Sequence, residues 1–177
     1  MTSRARSTDL LLGEWACLGV LYPAPAHGFA VAAQLTPGSE VGRIWTVSRP
    51  LTYRSLDQLA ARGLVRNVGD EPGAAGPNRT ILAATRSGRA HLRSWLRAPV
   101  EHLRDLRSEL LLKIVLADRC EIDLIEMLAA QRRRIEAQAT ALSAEKTSSG
   151  DVAALWRYEA SQAGLRFLDE LHRRDEH

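Results

Sequence analysis

Apolar side chains recur at helical spacing along the first third of the chain, and segments rich in Pro and Gly interrupt them. The spacing predicts a first helix over residues 10–21 and a short second helix over residues 28–35. Pro23 and Pro25 lie between the two helices and cannot continue a helix, so the first helix is expected to end before them.

A third helix is predicted from about Ser48 to Arg62. Ser48 is a favourable N-cap residue, and Pro50 falls in the first turn, where its missing N–H group does no harm. Gly63 follows the last helical position, where a glycine commonly ends a helix. The sequence therefore marks both ends of this helix.

Two short strands follow, predicted over residues 64–68 and 79–84, and together they form a hairpin. The sequence between them, GDEPGAAGPN at residues 69–78, is rich in Gly and Pro and predicts irregular structure. We therefore expect the hairpin to carry an extended tip rather than a tight turn.

Beyond the hairpin the pattern is helical to the end of the chain. Thr85 is placed to cap a fourth helix that ends near residue 98. Three further helices are predicted, over residues 103–118, 121–146 and 151–174. The fold class predicted from these elements is mainly α with a small β-hairpin.

Helix, short helix, helix and hairpin is the order of elements in a winged helix-turn-helix domain. In that arrangement the third helix fits the major groove of DNA, and the hairpin reaches the adjacent backbone or minor groove. The pattern alone therefore points to nucleic-acid binding.

Four segments extend this interpretation, because they resemble the PadR family of transcriptional regulators. They are HGFAVAAQL (27–35), WTVSRPLTYRSLDQLAARGLV (45–65), TRSGRAHLRSWL (85–96) and RSELLLKIVLAD (107–118). The resemblance implies a DNA-binding repressor with a winged helix-turn-helix domain and a C-terminal α-helical dimerisation domain whose helices interlock. In some members it also implies a small hydrophobic or phenolic effector.

The domain boundaries that follow are a flexible tail over residues 1–9, a winged helix-turn-helix domain over 10–98, and a helical dimerisation and effector domain over 99–177. Along the last helix, apolar residues alternate with charged ones and predict a face that is buried. These residues are Val152, Leu155, Trp156, Leu165, Leu168 and Leu171. This face is predicted to be buried either in a homodimer interface or in the core of a monomer.

Helical geometry divides the third helix into two sides. Leu51, Leu56 and Leu59 share the side expected to pack on the first two helices, with Thr52 and Ser55 close to it. Arg49, Pro50, Tyr53, Arg54 and Asp57 lie on the other side or its flank. The candidate DNA-binding residues are Ser48, Arg49, Thr52, Tyr53, Arg54, Asn78 and Arg79. Tyr53 as a half-buried packing residue and Arg54 as an ordinary surface charge are the alternatives.

Charge is divided unevenly along the chain. Residues 1–98 carry a net charge of +6 and residues 99–177 a net charge of −3, within a total of +3. A basic first half favours a polyanionic partner such as double-stranded DNA, although chance segregation of surface charge is the alternative. Asp70 and Glu71 in the hairpin would repel phosphate, which keeps a second hypothesis open, a protein-interaction adaptor that no longer binds DNA.

Other function classes are not supported by the sequence. With 45% hydrophobic and 25% charged residues, the composition is that of a globular protein, and no apolar run is long enough to span a membrane. The N-terminus lacks the features of a secretory signal, so we expect a cytoplasmic location. Cys17 and Cys120 are expected in the core, and His27 is expected to cap or pack. No metal-ligand spacing, cofactor motif or catalytic motif is present, so no metal, cofactor or enzymatic activity is expected.

Overall fold

The computed structural model describes residues 10–73, 76–149 and 151–175. The chain divides into two compact units. The first extends to Trp95 and includes Leu112–Ile122, and the second contains Leu96–Leu111 and the residues from Asp123 onward.

Seven α-helices and three strands form the described chain. The helices are α1 Leu12–Leu21, α2 Gly28–Ala33, α3 Arg49–Ala61, α4 Arg86–Leu96, α5 Leu111–Arg119, α6 Ile125–Ser149 and α7 Val152–Asp175. The strands are β1 Ala26–His27, β2 Val65–Gly73 and β3 Gly76–Ala84. The predicted helices are confirmed to within a few residues, except that the one predicted over 103–118 begins as a 3-10 turn (Leu103–Asp105) and a π-helical turn (Leu106–Leu110) before α5.

The strands form an antiparallel sheet in the order β1-β3-β2. The pairing of β2 with β3 runs from Val65 opposite Ala84 to Gly73 opposite Gly76. The prediction of irregular structure over residues 69–78 is therefore wrong for most of that segment. β1, which pairs Ala26 with Leu82, was not predicted.

Irregularities in β2 explain how a strand accommodates glycine and proline. The register shifts between Asn67 and Gly69, so Val68 is an extra residue, and Gly69 has a φ of +154°, which L side chains rarely adopt. The Asn67 side chain accepts a hydrogen bond from the Gly69 N–H at 2.8 Å. A second shift lies at Pro72, on a strand at the edge of the sheet, where a missing N–H group is tolerated.

The core of the first unit is built around α1, whose residues from Glu14 to Leu21 are all buried. Trp15 stacks on Trp95 with ring centroids 4.7 Å apart, and the Lys113 ammonium lies 4.8 Å from the Trp95 centroid. Both cysteines are buried, as predicted. Burial raises the pKa of the Cys17 thiol to about 12 and that of Cys120 to about 11, so both are neutral thiols at physiological pH.

Predicted caps at two helix ends of this unit are confirmed. Gly63 has a φ of +68° and follows α3 in a Schellman arrangement, in which the Leu64 N–H donates to the Leu59 carbonyl at 2.9 Å. Thr85 precedes α4, and its hydroxyl accepts the Gly88 N–H at 3.0 Å while donating to the Gly63 carbonyl at 2.8 Å. These bonds fix the end of α3 to the start of α4.

Glu121 ends α5 in the same type of motif, although it is not a glycine. Its φ is +55°, and the Ile122 N–H donates to the Ala117 carbonyl at 2.9 Å. A left-handed conformation costs a residue with a Cβ about 1 kcal/mol. We predict that Glu121→Gly raises the free energy of unfolding by about 0.5–1 kcal/mol, measured by urea denaturation. Glu121→Ala keeps the Cβ and is the control; an equal gain in that variant would assign the effect to charge rather than to backbone strain.

The second unit pairs α6 with α7. Arg132 donates to Asp169 at 2.9 Å across the pair and also binds Glu136, and the hydrogen bond to Asp169 raises the Arg132 pKa. The buried Gln131 side chain accepts the Val100 N–H at 2.6 Å and donates to the Val100 carbonyl at 3.2 Å. Contacts between side chains of α6 and neighbouring segments therefore organise this unit.

The α7 face packed inside the unit is lined by Ala154, Ser161 and Leu168, which are spaced seven residues apart. Of the six apolar residues predicted to share a buried face, only Leu168 is buried; Leu165 and Leu171 are half-buried, and Val152, Leu155 and Trp156 are exposed. The opposite face carries what we call the exposed α7 stripe, which consists of Val152, Trp156, Ala163 and Phe167. Trp156 is 71% exposed there.

Within the described ranges, no helix combines the length and the apolar character that crossing a membrane requires.

Candidate nucleic-acid interface

The buried stripe of α3 consists of Thr52, Leu56 and Leu59. Leu51 was predicted to pack in the core, but it is 53% exposed. Its neighbour Thr52 occupies the buried position instead. Thr52 is fully buried and its hydroxyl donates to the Ser48 carbonyl at 3.1 Å, which removes this side chain from the candidate surface. This placement corrects the sequence-based assignment of Thr52.

Exposed polar and charged residues of α3 lie outside this buried stripe, at its flank or on the opposite face. They are Arg49, Tyr53, Arg54 and Asp57, as predicted, with Pro50 at the first turn. These residues therefore offer two guanidinium groups and one phenol to a partner.

Tyr53 owes its position to Gly28 at the start of α2. A Cβ built on Gly28 would lie 2.6 Å from Tyr53 Cε1, well inside van der Waals contact. The tyrosine ring therefore lies directly on the backbone of α2, and it remains 44% exposed. Only a glycine permits this approach without displacing the ring.

Ser48 occupies the N-cap position of α3, as predicted, but its side chain makes no capping hydrogen bond. It is exposed at the positive end of the helix dipole. The hydroxyl is therefore available to an anion together with the exposed backbone N–H groups of the first turn.

The hairpin contributes Arg79, which is exposed on the central strand β3. Its guanidinium carbon lies 5.6 Å from the centroid of Phe29, and that of Arg49 lies 4.7 Å from the same centroid. One aromatic ring on α2 thus meets cations from both α3 and the hairpin. Asn78, the neighbouring residue of β3, is also exposed.

His27 stands beside this group. It pairs with Ile81 in the sheet, and its Nδ1 accepts the Ala30 N–H at 3.0 Å, which confirms the predicted capping role. Arg79 lies two residues from Ile81, on the same face of β3, so its Nη1 comes within 3.5 Å of His27 Nε2.

Sequence reasoning missed Gly28 and Phe29 as residues of the candidate surface. In the sequence, HGFAVAAQL stood out only as part of a resemblance, and no pattern in it indicates that Phe29 is 45% exposed. Acidic groups are also present on the exposed side, namely Asp57 on α3 and Asp70 and Glu71 on β2.

The connectivity decides the type of domain. β1 lies between α1 and α2 and pairs with β3, while the β2–β3 hairpin directly follows α3. The first unit is a winged helix-turn-helix domain. In this fold α3 occupies the position of the recognition helix, and the β2–β3 hairpin occupies that of the wing.

Solved structures that are similar to about nine-tenths of the chain include structures of PadR. Bacillus subtilis PadR in complex with operator DNA is 16% identical, with 89% of this chain and 96% of that chain covered and a TM-score of 0.47. The same protein in complex with p-coumaric acid is also 16% identical (93% and 96% covered, TM-score 0.41). The smu.1604c protein of Streptococcus mutans is 18% identical (92% and 99% covered, TM-score 0.46).

PadR, the namesake of the family that the sequence resembles, is thus among the solved structures to which the chain is similar. No family model and no curated protein matches the chain. Among the residues described, no group of three or more His, Cys, Asp and Glu side chains is arranged to hold a metal ion.

Proposed function

We propose that this protein is a sequence-specific, DNA-binding transcriptional regulator of the PadR type. The observation that carries the proposal is the surface of the winged helix-turn-helix domain, where the recognition helix and the wing direct Arg49 and Arg79 to one aromatic ring, with Tyr53 and Arg54 exposed on the same helix. Arginine and tyrosine are suited to guanine edges and phosphate oxygens.

In the proposed complex, the N-terminal half of the recognition helix enters the major groove. Arg54 and Arg49 are placed to meet guanine or phosphate, and the phenol of Tyr53 is placed to donate to a phosphate. Ser48 adds a hydroxyl at the helix N-terminus, while Arg79 and Asn78 extend the contact along the wing. Thr52 holds the helix in the domain and takes no part in binding.

We also propose that the protein acts as a homodimer through its C-terminal helices. One winged domain contacts few base pairs, and a two-fold dimer contacts two half-sites. The exposed α7 stripe supports this assembly, because a large aromatic such as Trp156 at 71% exposure is rarely left to solvent in a monomer. A second copy of α7 would cover the same stripe in return.

Repression, a cytoplasmic location and release by a small hydrophobic or phenolic effector complete the proposal. They derive from the resemblance to the PadR family, and they stay predictions. Each is secondary to DNA binding, which is the property to test first.

The test is fluorescence anisotropy with the DNA upstream of the protein's own gene, across a salt series and against a scrambled duplex. We expect specific binding at two protomers per site, with an affinity that falls steeply as salt rises. A protein with no salt-dependent affinity for any duplex would contradict the proposal and favour the adaptor hypothesis, for which the acidic residues Asp70 and Glu71 of the wing are the supporting observation.

Tyr53→Ala and Arg54→Ala are predicted to weaken binding to that site by about 10-fold or more each, which corresponds to about 1–3 kcal/mol per lost contact. Arg62→Ala is the matched control, because Arg62 is an exposed arginine at the C-terminal end of the same helix. Binding that is unchanged in both test variants, with folding and oligomeric state preserved, would show that the contacts are assigned to the wrong residues.

A further inference from the structure

The hydrogen bonding of His27 fixes where its proton lies. Nδ1 accepts the N–H of Ala30 at 3.0 Å, so that nitrogen carries no hydrogen. An imidazole whose Nδ1 is an acceptor must carry its proton on Nε2. His27 is therefore a neutral ring that holds an N–H donor on the side away from α2.

Arg79 points a second donor at the same place. Its Nη1 lies 3.5 Å from His27 Nε2, and every nitrogen of a guanidinium is a donor without acceptor capacity. Two N–H groups cannot bond to each other, so this approach satisfies neither. An oxygen with lone pairs placed beside both nitrogens would accept from each, and an anionic oxygen would in addition meet the charge of Arg79.

Phe29 restrains the charged part of this arrangement. The guanidinium carbons of Arg79 and Arg49 lie 5.6 Å and 4.7 Å from its centroid, within the range of cation–π attraction. A long arginine side chain loses conformational entropy when it binds a ligand. Because the ring of Phe29 already restricts both arginine side chains, they lose less entropy on binding. Glu71 is the strand partner of Arg79, so its carboxylate competes with a phosphate for the Arg79 guanidinium.

We propose that His27 and Arg79 bind one phosphate oxygen of the DNA backbone between them, and that Phe29 positions Arg79 for this contact and couples it to Arg49 on the recognition helix. The inference rests on the proposed function, because it names a phosphate contact within that DNA-binding surface. It assigns DNA contact to a residue of the β1–α2 junction, which lies outside both the recognition helix and the wing.

His27→Asn is the decisive variant. Asparagine is a good N-cap and can still accept the Ala30 N–H through Oδ1, and its shorter side chain then holds the Nδ2 donor short of the position of the imidazole Nε2. We expect affinity for the bound duplex to fall about 5-fold with an unchanged salt slope, because a neutral donor displaces no counterion. His91→Asn makes the same change on α4 and should leave affinity unchanged.

Two further variants separate the contact from general damage. Arg79→Gln should lower affinity about 10-fold and reduce the salt slope by about one phosphate contact. Phe29→Leu should lower the affinity for DNA with no comparable loss of thermal stability. Phe29→Tyr keeps an aromatic ring and should bind DNA with the affinity of the wild-type protein. Equal loss in the leucine and tyrosine variants would overturn the positioning role.

Neutral methylphosphonate linkages, introduced one at a time into the duplex, locate the phosphate. In the wild-type protein one linkage should cost about 5- to 10-fold in affinity, and in His27→Asn the same linkage should cost less, because only the contact of Arg79 remains to be lost. Full additivity at every linkage, or wild-type affinity in His27→Asn, overturns the inference while the proposed function stands. A wild-type protein that binds no duplex overturns both.

Discussion

Gly88→Ala is expected to lower the free energy of unfolding by about 3 kcal/mol, although helix propensity alone predicts a gain of about 1 kcal/mol for this change. Gly88 lies in the first turn of α4, and a Cβ built on it would be 2.1 Å from the carbonyl oxygen of Leu64. That oxygen belongs to the backbone and is already bonded by the Thr85 N–H at 2.9 Å, so it cannot move away cheaply.

The Gly88→Ala substitution is also expected to disturb α3, which carries part of the candidate DNA surface. Separating α4 from Leu64 would break the hydrogen bonds of Thr85 that join the end of the recognition helix to α4. Thermal unfolding and urea denaturation measure the effect. The control is Gly38→Ala, because a Cβ there meets nothing within 4 Å, and we expect a change below about 0.5 kcal/mol. Similar stability in the two variants would contradict the tight packing of α4 on Leu64.

The second large effect is expected from Trp156→Glu on the exposed α7 stripe. If this stripe forms the proposed dimer interface, a tryptophan within it is a typical hot spot, and replacing it with a carboxylate should weaken dimerisation by about 100-fold or more. Trp156 is 71% exposed within the single chain, so folding of the subunit should be nearly unaffected.

Sedimentation equilibrium across a range of concentrations measures the dimerisation constant, and the anisotropy titration reports the accompanying loss of DNA affinity. Ala141→Glu places the same charge on an exposed position of α6 and is the control. A Trp156→Glu protein that remains dimeric at the wild-type dissociation constant would remove the exposed α7 stripe from the interface.

Local signals in the sequence were sufficient for most of the helices. Ser48, Pro50 and Gly63 mark the ends of the recognition helix, because capping and the left-handed C-terminal position depend on residues close in sequence. The same local signals failed over residues 69–78. Proline and glycine predicted a loop there, whereas bulges at the sheet edge accommodate both residues within the strand.

The candidate site was only partly accessible to sequence reasoning. Helical periodicity placed Tyr53 and Arg54 on the exposed face, but it put Leu51 on the buried side and left the buried Thr52 among the candidates. Phe29 was missed because its role depends on the pairing of His27 with Ile81, more than fifty residues away along the chain. No periodic pattern reports a contact of that kind.

The irregular edge strand has a consequence for how chains behave together. β2 is the longer of the two outer strands of the sheet, and an outer strand with free backbone groups can pair with the same strand of another molecule. The extra residue at Val68, the missing N–H group of Pro72 and the exposed charges of Asp70 and Glu71 all disfavour such pairing. Acidic residues that weaken attraction to phosphate therefore protect the hairpin from edge-to-edge aggregation.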